Sequence, residues 1–169
     1  EVRLSSEILG EDKSIPAARK VNILLKALKK NIDYPDLSYE PGFYAPRSEA
    51  FKRQYIFAIE KIGPDAIPIL NEHLKTAKGD YRSYIYIILA SLKEPIAYKE
   101  VCSILRNSNV GWLRVIAARY LGLLGNKEAI PLLKEALNDS FAIESQTGSD
   151  SYPPTGTEKE EFHPVREAA

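Results

Sequence analysis

The chain is poor in the residues that most often carry chemistry. It has one cysteine, two histidines, one tryptophan and no methionine among 169 residues. A lone Cys102 excludes an internal disulfide. It falls inside a helical pattern with no second Cys and no His at helical spacing, so nothing there activates its thiol. Charge of one sign is lacking too: 23 Lys+Arg balance 23 Asp+Glu, for a net charge of zero. A dedicated nucleic-acid binder usually shows a basic excess that releases counterions from phosphates, so no nucleic-acid partner is expected. No run of 18 apolar residues occurs, so no membrane span is expected. Gly-rich phosphate loops, Ser-centred elbows and zinc-ligand spacings are missing as well. The sequence therefore predicts no catalytic residue, no metal and no cofactor, and it leans away from an enzyme. The chain opens on Glu1 rather than Met, so a removed signal or a cut boundary leaves the compartment unassigned.

What is present is helix, repeated. The stretch 109–140 reads as two short helices around a tight turn. Leu113, Ile116, Ala117, Tyr120, Leu121 and Leu124 keep helical spacing in the first; Ala129, Ile130, Leu133, Ala136 and Leu137 keep it in the second. Gly125 is suited to end one helix and Asn126 to cap the next. A pair this short cannot bury both apolar faces alone. Earlier pairs supply neighbours: Ser48–Gly63 with a Pro64-led partner, and an Asp80-capped helix with a Pro95-led partner. Ala66, Ala97 and Ala129 fall together, as do Leu70, Val101 and Leu133, and Leu74, Leu105 and Leu137, at steps of 31 and 32 residues. On the first helices Lys52, Arg82 and Arg114 align. Self-similarity at a period near 30 is the mark of a solenoid whose units touch only their neighbours. The expected fold is all-α, a right-handed α-α superhelix of about four to five helical pairs forming one domain.

The expected divisions are 1–30, an N-terminal helical pair; 31–47, a loop rich in Pro and aromatics; three repeats at 48–79, 80–108 and 109–140; an inserted loop at 141–161; and the start of a further repeat at 162–169. Ser14 is a plausible cap for the helix carrying Val21, Leu24, Leu25 and Leu28, and Ser48 for the next. In 31–47, Tyr39, Phe43 and Tyr44 are either packed against a helix end or presented to a partner. The insertion, rich in Ser, Thr, Gly and Pro, reads as exposed, and insertions in solenoids tend to map to the binding face.

Charge is segregated along the second helices. One flank carries Lys75, Lys99, Arg106 and Lys134 and no acidic residue. The other carries Asp65, Glu72, Glu100, Glu128, Glu135 and Asp139 and no basic one. Both flanks lie off the core direction at 100° per residue. A basic row beside an acidic row along a concave face suits a peptide or protein of mixed charge. Ordinary solvation with i,i+4 pairing inside each helix is the competing account.

The segment from Trp112 to Asp139 resembles a HEAT repeat, in particular the short PBS-lyase HEAT-like variety. Leu113-Arg114, Ala117-Ala118, Leu121-Gly122 and Ala129-Ile130-Pro131-Leu132-Leu133 carry the likeness. It is fair in 47–79 and weak in 80–108, and Arg166 answers Arg114. The resemblance implies a non-enzymatic interaction or scaffold module. Its alternative implication is a bilin lyase or isomerase-like, chromophore-handling protein, for which Tyr81, Tyr84, Tyr86 and Arg82 are the only aromatic cluster with an anchoring Arg. HEAT-like deoxyhypusine hydroxylase holds two irons on His-Glu pairs; no His here precedes Glu, so that reading falls. His73 aligns with Ile104 and Ala136 and is expected to be half-buried with one hydrogen-bond partner.

Overall fold

The computed structural model describes residues 9, 11–35, 37, 46–146 and 159–169. Eight helices are resolved among them: α1 (Ala17–Asp33), α2 (Arg47–Ile62), α3 (Ile67–Leu74), α4 (Gly79–Ser91), α5 (Ala97–Asn107), α6 (Gly111–Leu124), α7 (Ile130–Ala136) and α8 (Pro164–Ala168). They form a helical-repeat solenoid of two layers. α2, α4, α6 and α8 each touch the next in one layer. In the other layer α1 touches α3 and α5 touches α7. In chain order the helices alternate between the layers as α2/α3, α4/α5 and α6/α7, with α1 before them packed on α2 and α3.

The local chemistry of each unit follows the aligned residues. In α1 the stripe Val21, Leu24, Leu25 and Leu28 is buried, which an amphipathic helix requires. α2 ends on Gly63 with φ +77°, and α6 ends on Gly125 with φ +65°, both left-handed positions that a Cβ disfavours. Asn126 then caps the turn by accepting from the Glu128 amide at 3.0 Å. The second helices of the first and third units open with a 3-10 turn, Gly63–Ala66 and Lys127–Ala129, before Pro68 and Pro131 enter at the start of the α-helix, where a missing N–H costs nothing.

Several boundaries differ from the sequence expectation. α1 starts at Ala17 behind Pro16, and Ser14 instead turns its amide and hydroxyl onto Asp12. α2 starts at Arg47 behind Pro46, whose fixed φ of −55° presets the entry, so Ser48 lies inside the helix and is buried. Asp80 sits in the first turn of α4, behind Lys78, and makes no cap. The inserted segment is not simply a loop. Ile143–Gln146 (β1) and Lys159–Phe162 (β2) pair antiparallel, Ile143 opposite Phe162 and Gln146 opposite Lys159. Neither tetrapeptide has a 3.6-residue apolar period, and the ladder satisfies backbone groups that a helix would otherwise have to satisfy. The expected helix in 1–10 lies outside the described residues apart from Leu9.

The core centres on α4. Every residue from Tyr84 to Ala90 is buried, rather than a single stripe. A helix apolar all round belongs in an interior, and α2, α6, α1, α3 and α5 all pack on it. Tyr120 of α6 pairs with Glu60 of α2; its hydroxyl is pushed up to about 12, by burial first and then by that carboxylate.

Candidate functional site

The aligned basic residues of the first helices do not face solvent. Each holds a junction between units. Arg82 donates to the Leu74 carbonyl and to the Tyr86 hydroxyl, each at 2.9 Å. Arg114 donates to the Ser108 carbonyl at 2.8 Å. Arg166 donates to the Asp139 carbonyl at 2.8 Å. All three carbonyls lie at the C-terminal end of the preceding second-layer helix, where acceptors have no intrahelical donor. Arg166 thus does answer Arg114. Arg114 also grips Asp139 through Nε (2.7 Å) and Nη2 (2.9 Å). The Asp139 carboxyl, which accepts the Phe141 amide as well, is held below the usual carboxylate range, chiefly by the Arg114 hydrogen bond. In the first unit the aligned residue is Lys52, buried and paired with Glu49, which also takes the Tyr84 hydroxyl at 3.3 Å.

The charged rows stand on the second layer. Lys75, Lys99, Arg106 and Lys134 are exposed, as are Glu72 and Glu135, while Glu100 is half-buried. The two rows are not independent. Lys75 pairs with Glu72 three residues earlier on the same helix, and Arg106 reaches Glu135 of the next unit at 3.7 Å. Lys99 and Lys134 have no ion-pair partner among the described residues. Tyr39, Phe43 and Tyr44 lie outside the described residues.

The aromatic cluster around Arg82 is not an open cleft. Tyr84 and Tyr86 are core residues, and Arg82 is committed to a carbonyl and a hydroxyl. Tyr81, half-buried, instead lines a neighbouring cleft.

Sequence reasoning missed a cleft of about 800 Å3 between α1, α3 and the start of α4. Leu25, Ile32 and Ala77 line its apolar part; Asn22, His73 and Tyr81 line it beside the charged Lys26, Lys29, Lys78, Asp33 and Asp80. His73 has two partners rather than one. Asn22 donates through Nδ2 to the Ala18 carbonyl (2.8 Å), which turns its Oδ1 to His73 Nε2 at 2.8 Å. Nε2 must therefore carry a proton, and in the neutral ring Nδ1 accepts from the Tyr81 hydroxyl at 2.9 Å. Burial pushes the Tyr81 hydroxyl up, which keeps it a donor. With both ring nitrogens engaged, His73 orients a surface and has no lone pair left to act as a base. Asn22 and His73 stand 51 residues apart, and no spacing rule connects them. Among the described residues no three His, Cys, Asp or Glu side chains converge as a metal site requires. No helix among them is long and apolar enough to cross a membrane.

The stacked helical pairs, the left-handed turns and the arginine junctions define a helical-repeat module. Residues 113–139 match the PBS lyase HEAT-like repeat, the subclass read from the sequence. No curated protein and no solved structure matches the chain.

Proposed function

We propose that the chain is a non-enzymatic protein-interaction module, and that its partner lies along the exposed side of the second-layer helices. The observation that carries this reading is the pair Lys99 and Lys134. They are exposed on successive repeats with no carboxylate partner among the described residues, and an Arg106–Glu135 pair bridges the same two units. Exposed cations on successive repeats attract an acidic partner segment and speed its approach. The paired residues Lys75, Glu72, Arg106, Glu135 and the half-buried Glu100 set the edges of that strip.

Exposed ion pairs contribute only about 0–1 kcal/mol to stability, so charge reversal here leaves the fold intact. Lys99→Glu with Lys134→Glu is expected to abolish recovery of a partner that the intact chain recovers at low salt, with an unchanged circular dichroism spectrum. Recovery of the same partner by both forms overturns the proposal.

A further inference from the structure

The cleft between α1, α3 and the start of α4 has an apolar floor and a cationic rim. On α1, Asn22, Leu25, Lys26, Lys29 and Ile32 line it at i, i+3, i+4, i+7 and i+10, one face of the helix. Leu25 and Ala77 are buried at its base, with Ile32 half-buried beside them. The Asn22–His73–Tyr81 hydrogen bonds tie α1, α3 and α4 together across it. One unit on, the repeat puts Ile104 and Leu113 at the positions of His73 and Tyr81, and both are buried. The half-buried polar wall therefore belongs to this junction and is not repeated at the next. Three lysines and two aspartates line the cleft. Lys29 is held by Asp33 at 2.7 Å. Asp80 stands in the first turn of α4, where a carboxylate complements the helix dipole. Lys26 and Lys78 are exposed and have no ion-pair partner among the described residues.

We propose that this cleft binds an aliphatic monocarboxylate, its head group taken by Lys26 and Lys78 and its chain laid on Leu25, Ile32 and Ala77. The volume of about 800 Å3 lies in the range of small-molecule sites, which combine an apolar lining with a few convergent polar groups. The lining carries one more cation than anion, which matches the single charge of a carboxylate at neutral pH better than the nearly double charge of a phosphate monoester. Asn22 adds a donor, since its amide has one N–H beyond that given to the Ala18 carbonyl. The wall at His73 asks for no polar group, because both ring nitrogens are already engaged. The base is aliphatic, and the two rings are fixed edge to face at 6.3 Å between centroids, so an alkyl chain fits the floor better than a flat ring system. The cleft shares no residue with the charged strip of the second layer, and this assignment does not rest on that reading.

The test is a titration of the full chain with decanoate below its micelle concentration, followed by amide and imidazole chemical shifts. Saturable shifts are expected at Lys26, His73, Ala77 and Tyr81. Lys26→Gln with Lys78→Gln changes only exposed side chains, so the fold is kept, and is expected to weaken binding about tenfold or more. Decanol, which has the chain without the charge, is expected to bind more weakly by a similar factor, and acetate, which has the charge without the chain, is expected to show no saturation over the same range. Lys99→Glu with Lys134→Glu is expected to leave the titration unchanged, which separates this site from the strip. Absence of saturable shifts, saturable shifts confined to residues outside the cleft, equal binding of decanol, or equal binding by the double glutamine variant would each overturn the proposal.

Discussion

Lys93 stands where the third repeat has Gly125. Gly63, Lys93 and Gly125 are the turn residues of the three units, and Lys93 has φ +62°. The backbone around it makes both closing bonds of a helix C-terminus, Glu94 N to the Leu89 carbonyl and Lys93 N to the Ala90 carbonyl, each at 2.9 Å. The turn is therefore fixed by its hydrogen bonds, and the side chain bears the strain. A left-handed residue with a Cβ costs about 1–2 kcal/mol, while glycine forfeits about 0.5–1 kcal/mol through unfolded-chain entropy. Lys93→Gly should thus raise stability by about 0.5–1 kcal/mol. Urea unfolding measures this, and a lower midpoint in the variant would show that the lysine's own contacts outweigh the strain. The same residue explains why the second repeat was the hardest to read. The likeness depends on punctuation by Gly and Pro. With Lys93 at the turn, the sequence signal fades although the backbone does not change.

At the scale of the element, the informative feature is the junction at the end of α7. Asp139 takes Arg114 on both carboxylate oxygens and the Phe141 amide as well, and offers its carbonyl to Arg166. Phe141 in turn stacks edge-on to Trp112, with ring centroids 5.5 Å apart. A Cβ on Gly111 would fall 2.3 Å from the Phe141 ring, so that helix start must be glycine for the ring to sit there. The carboxyl of Asp139 is held below its unfolded value of about 3.9. Its contribution is thus fully present above about pH 4 and is lost as pH falls through the lowered folded value. Asp139→Asn should cost about 1–3 kcal/mol near neutrality and should remove that part of the acid limb. Stability measured from neutral pH down to acid tests the sign. An asparagine variant whose stability falls in acid as steeply as the parent would place the acid sensitivity elsewhere. The helix pairs, their order and the Arg114–Arg166 equivalence were legible because they rest on local period and aligned positions. The Asp139 contacts were not, since that residue was read as part of a solvated acidic flank. The Asn22–His73–Tyr81 cleft was also invisible, because it depends on which helices meet.

Over the whole molecule, burial is uneven. α4 is enclosed by five other helices and buries seven consecutive residues, whereas α7 leaves one apolar face in solvent. In a chain of nearest-neighbour units, local opening follows how many neighbours must be lost. Amide hydrogen exchange should therefore be slowest in α4, with α7 exchanging faster by on the order of tenfold or more. Equal protection in the two helices would indicate one all-or-none unit rather than a graded stack.

The two-stranded ladder after Phe141 carries a separate lesson about change over generations. The chain leaves the stack just after one arginine-held carboxylate and comes back at Arg166, which returns to the same residue, Asp139. The paired strands bring exit and entry side by side, with Ile143 across from Phe162. Lengthening what lies beyond the ladder adds only about 0.6 kcal/mol of closure entropy per doubling. The scaffold thus has a built-in port, where a foreign peptide or a whole domain can be grafted while the register of the repeats on either side stays locked.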